Sequence, residues 1–245
     1  MRNLKLKIEY DGTNYCGWQV QRNIRQSIQA TIEKALQKIL QEKVRLIASG
    51  RTDAGVHAQA QIANFKTKSG IDLKKLQGAL NGLLPADVVI SGIEEKGLDF
   101  HSRFDAKSKI YRYTILNRPY PAALLRNTVY FYPFPLDITI MRKEARVLLG
   151  RHDFSSFRAS SKLERGPVRT IKSIKITKDK DSIYMDIEGD GFLYNMVRNI
   201  AGTLIESGRG KLPEGSIKKI LSAKDRRSAG PAAPARGLCL VKVKY

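Results

Sequence analysis

One carboxylate stands out by its setting. The stretch Ala48-Ser49-Gly50-Arg51-Thr52-Asp53-Ala54-Gly55-Val56-His57-Ala58 places Asp53 on a glycine-bounded loop, with Arg51 two residues before it and Gly55 two after. A carboxylate so presented suits a nucleophile or a general base. Gly50 and Gly55 have the spacing of a phosphate-binding loop. Val56 and His57, however, stand where that loop needs Lys and Ser or Thr to reach phosphate and magnesium, so the nucleotide-hydrolase reading fails. Spacing alone leaves two readings, an Asp-Gly turn and an active site, and the turn is the more common use of these residues.

Other chemistries find less support. His57, His101 and His152 are isolated, with no carboxylate pair at ligand spacing beside them, so no metal site is assigned. Nothing marks a Ser or Cys nucleophile paired with a His base. Tyr111, Arg112 and Tyr113 follow Lys107 and Lys109 on a predicted strand, interleaving rings with cations as binders of single-stranded nucleic acid do. Tyr111 and Tyr113 share a face there, and packing in the sheet core explains them equally well. Arg198 falls off the apolar stripe of its predicted helix, beside Tyr194, where solvent exposure is the ordinary expectation. Arg25, Arg158, Lys162, Arg165 and Arg169 add loop charge that serves phosphate contact or simple solvation.

Charge narrows the partner. Across 245 residues, 44 Lys and Arg face 23 Asp and Glu, a formal charge of +21 spread along the chain. The expected partner is a polyanion, and nucleic acid before a membrane, because no apolar run of about 18 residues appears. The start alternates charge with hydrophobe and has no secretory segment, so a cytoplasmic location is expected. Cys16 and Cys239 fit no metal spacing and read as free thiols. The 42% hydrophobic content is enough for one large domain or two small ones.

The elements that must position these residues follow from periodicity. Leu4, Leu6, Ile8 and Tyr10 alternate with polar residues as a half-buried strand. Ile28, Ile32, Ala35, Leu36, Ile39 and Leu40 recur at helical spacing behind Ser27 as cap. Strands are predicted at 44–48 and 59–66, a helix after Asp72, and a strand at 88–93. The order repeats with a strand at 109–116, a helix capped by Asp137, strands at 171–176 and around Ile183 to Glu188, a helical stripe from Leu193 to Leu204, a short helix and a last strand at 238–244. Two such units predict an α+β fold of two ferredoxin-like (split βαβ) halves, with antiparallel sheets and a basic cleft between them. The halves are expected to meet near Asp99 to Arg103, giving domains 1–100 and 101–245.

At this point the chain resembles a known family, the TruA-type tRNA pseudouridine synthases, along essentially its whole length. The resemblance rests on Tyr10-Asp11-Gly12-Thr13 with Gly17-Trp18-Gln19, the loop from Gly50 to Ala58, Arg103-Phe104-Asp105-Ala106, Tyr111-Arg112-Tyr113, His152-Asp153-Phe154-Ser155-Ser156-Phe157, and Phe192 through Asn199. A small departure is Ser102, where a small apolar residue is the family's habit. The resemblance implies isomerisation of uridine to pseudouridine in the tRNA anticodon arm at positions 38 to 40, and a homodimer. It implies that Asp53 is the catalytic carboxylate, that Tyr111 stacks on the target base, that Arg198 pairs with Asp53, and that Arg51 fills the place of the extruded base. A guanidinium beside a carboxylate favours the ionised form. The isomerisation changes no redox state, so no cofactor is expected. Two other readings stay open: a non-catalytic RNA-binding module, which leaves Asp53 unexplained, and a metal-dependent nuclease.

Overall fold

The computed structural model describes residues 1–20, 26–159 and 166–245. Arg25, Lys162 and Arg165 lie outside them. Among the described residues, five α-helices combine with ten strands in a mixed α and β architecture. Two compact units emerge, one of Met1–Lys107 with Cys239–Tyr245, the other Ser108–Leu238. The division expected near Asp99 to Arg103 thus falls a few residues later, and the last strand counts with the first unit.

In the first unit, β1 (Arg2–Tyr10) runs antiparallel to both β3 (His57–Thr67) and β4 (Val88–Lys96). On the other side of β3 lie the two-residue β2 (Ile47–Ala48), antiparallel to its middle, and β10 (Leu238–Lys244), parallel to its start. The alternation in β1 is realised: Leu4, Leu6 and Ile8 are fully buried while Lys7 and Glu9 face solvent. Helix α1 (Ile28–Leu40) buries Ile28, Ile32, Ala35 and Leu36, and the Ser27 hydroxyl accepts the Ala30 N–H at 3.2 Å. Helix α2 (Leu73–Leu83) is capped by Asp72, whose carboxylate accepts the N–H groups of Lys74 and Lys75 at 3.0 Å each.

A buried polar network fixes the far end of this sheet. Asn64 donates to the Asn3 side-chain oxygen at 2.9 Å, and Asn3 donates to the carbonyls of Gly97 and Phe100 at 2.9 Å each. Ser102 is fully buried; its N–H donates to Asn64 Oδ1 at 2.9 Å and its hydroxyl to the Ile47 carbonyl. A hydroxyl rather than a methyl at this position therefore has a specific carbonyl to satisfy.

In the second unit, β5 (Ser108–Leu116), β9 (Ser182–Gly189), β8 (Val168–Asp179) and β7 (Gly150–Asp153) pair antiparallel in that order, with β6 (Tyr130–Phe131) parallel to the end of β5. Helix α3 (Ile138–Arg146) starts at the Asp137 cap. Helix α4 (Met196–Gly208) is buried on nearly every side, and α5 (Ser216–Ala223) receives the buried Glu144 carboxylate on its first-turn N–H of Ile217 at 2.9 Å and on that of Gly215 at 2.7 Å. Burying a carboxylate is tolerable where it accepts such donors.

Helix α4 is approached closely because three of its neighbours or members lack side chains. A methyl at Gly202 would overlap the Pro231 carbonyl oxygen, one at Gly208 would meet the Met141 thioether at 2.8 Å, and one at Gly230 would meet the Thr203 Cα at 2.9 Å. Gly78, on the exposed side of α2, has no atom within 4 Å of the same position. Gly202→Ala should therefore destabilise the protein by about 1–3 kcal/mol through overpacking. Gly78→Ala should stabilise it by about 0.5–1 kcal/mol by stiffening the unfolded chain. Denaturant unfolding of the two variants checks both signs.

Candidate active site

The loop carrying Asp53 leaves β2 and turns back into β3 between Ser49 and Val56, and its backbone is held from below residue by residue. The Ser49 N–H donates to the Ile62 carbonyl at 2.7 Å, and the Ser49 hydroxyl to Gln61 Oε1 at 2.8 Å. Gln61, fully buried within the apolar run of β3, donates through Nε2 to the Gly50 carbonyl at 2.9 Å. The buried hydroxyls of Tyr10 and Thr52 meet at 2.7 Å, and the Trp18 N–H donates to the Thr52 carbonyl at 3.0 Å. Burial, opposed by its hydrogen bonds to Thr52 and Gln61, pushes the Tyr10 phenol above its ordinary 10.0, so it stays a neutral hydrogen-bonding group.

Two glycines let a second loop press against the first. A methyl at Gly12 would overlap the Val56 carbonyl, and one at Gly17 would crowd the backbone of Thr52 and Asp53; Gly17 also has φ of +98°. The turn closes with the Val56 N–H donating to the Asp53 carbonyl at 3.1 Å and Gly55 at φ of +74°. With this backbone pinned, Asp53 is half-buried and Arg51 exposed. Arg51 and Asp53 thus share one rigid loop of the first unit.

His57 begins β3 rather than ending the loop, and it is buried. Its Nδ1 lies 3.1 Å from both the Gly12 N–H donor and the Asp11 carboxylate, so its tautomer determines which it bonds. Its buried Nε2 has no hydrogen-bond partner among the described residues. Burial works to raise the Asp11 pKa, yet the hydroxyl and N–H of Thr13 and the His57 ring together hold it below its ordinary 3.8.

In the second unit, Tyr111 and Tyr113 do share a face of β5, and both are buried, at 6% and 0% exposure. Tyr113 donates to the Pro234 carbonyl at 2.9 Å, which makes it a packing residue. Tyr111 meets Phe192 edge to face, with centroids 5.2 Å apart, above Gly189, where a methyl would come within 3.0 Å of the Phe192 ring. Arg198 departs from the solvent-exposed expectation. It is half-buried in the first turn of α4, its Nε donating to the Ala233 carbonyl at 2.8 Å and a terminal nitrogen to Asn195 Oδ1 at 3.1 Å. The helical wheel missed this because the partner carbonyl comes from a segment 35 residues away.

Among the described residues, no three His, Cys, Asp or Glu side chains gather as a metal-binding group, and Cys16 and Cys239 form no disulfide. No helix among them is long and apolar enough to cross a membrane.

The whole chain also compares closely with known sequences. The profile of a family described as tRNA pseudouridine synthase matches residues 7–105 and 145–245. The tRNA pseudouridine synthase A of Clostridium acetobutylicum is 48% identical over 245 residues, and that of Acetivibrio thermocellus 49%, each alignment covering all of both chains. A tRNA pseudouridine synthase A 2 of Clostridium tetani is 50% identical, over all of this chain and 99% of its own. The chain belongs to the tRNA pseudouridine synthase family. It is an isomerase of that family, whose members convert uridine to pseudouridine in tRNA. The matched residues include Arg51, Asp53 and Arg198, while Tyr111 lies in the unmatched stretch 106–144.

Sequence reasoning overlooked the synthase's loop supports, Thr52, Gln61 and the His57–Asp11 pair. The available signal was polarity in the wrong place, since Gln61 and Asn64 stand among Ala60, Ile62, Ala63 and Phe65 of β3 and are buried with them.

Folding lowers the Asp11 pKa, so its carboxylate contributes stability that is present above 3.8 and lost as pH falls through the lower folded value. Wild type should therefore be more stable than Asp11→Asn near pH 5, with the gap closing below 3.8. Urea unfolding of both proteins across this range checks the sign, and a gap independent of pH would contradict the assignment.

Proposed function

We propose that this synthase isomerises uridine in the anticodon stem-loop of tRNA, at positions 38 to 40, with Asp53 as the catalytic carboxylate. The observation that carries the reading is the loop itself. Buried hydrogen bonds and two close glycine approaches fix the backbone on either side of a half-buried carboxylate, as a preorganised catalytic group requires. A mere surface turn has no need of a buried Gln and Tyr beneath it.

The chemistry is balanced within the substrate. The N1–C1′ glycosidic bond breaks, the uracil turns in the site, and C5 joins C1′ as the hydrogen on C5 leaves and N1 regains one. No redox change occurs and no group is lost, so no cofactor is called for. An ionised Asp53 would act on the sugar or on the ring as nucleophile or base. The target base must first leave its stack, at a cost of about a few kcal/mol. In this reading Arg51, exposed on the same loop, takes the vacated place, and Tyr111 stacks on the extruded uracil with its ring oriented by Phe192. Arg198 pairs with Asp53, its guanidinium held by Ala233 and Asn195. The Tyr111 phenol, both donor and acceptor, handles a proton late in the reaction.

The rest of the reading is cytoplasmic action as a homodimer, on two ferredoxin-like halves bordering a basic cleft. The strand order β4-β1-β3-β2 in the first unit supports the split βαβ description. The charge of +21 supports an RNA substrate.

Tritium release from tRNA labelled at uridine C5 tests the proposal, because C5 loses its hydrogen only when the new bond forms there. Wild type should release tritium with chelator present, and Asp53→Asn should release none while still binding tRNA. Release by Asp53→Asn at the wild-type rate would remove Asp53 from the chemistry. Tyr111→Phe should bind tRNA normally and turn over at least about tenfold more slowly, and an unimpaired rate would remove its proton-transfer role.

A further inference from the structure

An aromatic side chain outside the residues assigned to the uridine chemistry is presented to solvent on a rigid support. Phe104 is 63% exposed, and one side of its ring is backed by the His101 imidazole, with centroids 4.2 Å apart and planes 30° from parallel. The Arg103 guanidinium stands 5.9 Å from the Phe104 centroid. Of the other exposed rings, Tyr120 lies under Arg118 at 4.3 Å and Phe134 packs edge-on to Tyr132.

The turn beneath Phe104 has little freedom. The N–H groups of Phe104 and Asp105 donate to the His101 carbonyl at 3.1 and 3.0 Å, and the Asp105 carboxylate accepts the His101 N–H at 2.9 Å. The Arg103 and Phe104 N–H groups also point at His101 Nδ1, at 3.2 and 3.3 Å. Ser102 between them is anchored in the buried network with Asn64 and Ile47. Exposing a phenyl group to water is unfavourable, and fixing it there removes the freedom to fold it away. Such an arrangement gains if a flat apolar surface covers the ring, and a ligand pays little ordering entropy for a surface already fixed.

We infer that the His101–Phe104 pair is a stacking platform for one unpaired base of the bound tRNA, with Arg103 contacting an adjacent phosphate. Every base has a π-face, and an aromatic ring flanked by a cation is the ordinary device for holding one. A polyanionic partner fits the chain's formal charge of +21, and Arg103 and Lys107 are exposed in the same segment as Asp105. The inference rests on tRNA being the substrate.

The test measures tRNA dissociation constants against salt concentration for wild type, Phe104→Ala, Phe104→Trp and Arg103→Ala, together with tritium release over a range of tRNA concentrations. Loss of one stacked base should weaken tRNA binding of Phe104→Ala by about fivefold to a hundredfold. The loss should fall on KM rather than kcat, should leave the salt slope unchanged because no phosphate contact is removed, and should be repaired by Phe104→Trp. Arg103→Ala should instead reduce the salt slope by about one. Phe104→Ala binding within twofold of wild type, or a loss that Trp does not repair, would overturn the platform while normal tritium release by wild type kept the isomerase reading. A wild-type protein that does not bind tRNA would overturn both.

Discussion

The first unit is organised around a buried polar clamp. Tyr10, Thr52, Gln61 and Ser49 form hydrogen bonds in a setting where each would be expensive to leave unsatisfied. An apolar floor under the Asp53 loop would hold it by contact alone and allow it to slide. The clamp instead names each backbone carbonyl it holds, at Gly50 through Gln61 and at Thr52 through the Trp18 N–H. The requirement propagates outward. Trp18 reaches Thr52 only because Gly17 has no side chain, and Gly12 must likewise be bare for the chain after β1 to lie against Val56. The conjunction of Tyr10, Gly12, Gly17 and Trp18 is thus one constraint seen at four positions.

The same logic appears in the second unit in a different form. Asn199, buried on α4, donates to the Phe157 carbonyl at 2.8 Å and accepts from Arg226 at 3.0 Å, while Ser156 donates to the Ile220 carbonyl at 2.6 Å. The His152–Phe157 stretch is therefore a joint tying the end of β7 to α4 and α5, rather than a source of chemical groups. Buried side chains that bond to specific carbonyls set the positions of elements where apolar packing would set only their proximity.

How much of this was legible in the sequence follows from the range of each interaction. Helix caps were readable because Ser27, Asp72 and Asp137 act on amides two or three residues away. Long alternating strands were readable for the same local reason. The two-residue β6 and the four-residue β7 show no period, and only pairing with a neighbour defines them, while the strand predicted at 44–48 is realised only as the two residues of β2. Helix α4 begins at Met196 rather than Leu193 because Asn195 adopts a left-handed conformation, with φ of +58°, which apolar spacing does not encode. At the candidate site, the loop and its glycines were visible, but spacing alone favoured a turn. Family resemblance is what implies a catalytic role for Asp53, and the structure supplied the clamp that spacing could not show.

Arg198 shows how stability and positioning become the same contact. A cation in the first turn of a helix faces the positive end of the macrodipole, a placement that costs about 0.3–1 kcal/mol. The cap makes it no easier, since the Asn195 side chain bonds none of the helix amides and accepts from Arg198 instead. What offsets this is the segment from Gly230 to Ala233. The Ala233 N–H donates to the Arg198 carbonyl at 3.0 Å while the Ala233 carbonyl accepts the guanidinium Nε, gripping the residue at both backbone and side chain. That grip requires the segment to lie directly on α4, which is where Gly202 faces the Pro231 carbonyl and where the Gly230 N–H donates to Thr203 at 3.0 Å. A side chain added at either glycine would lift the segment and release the guanidinium, so packing loss on α4 and loss of Arg198 orientation should be inseparable.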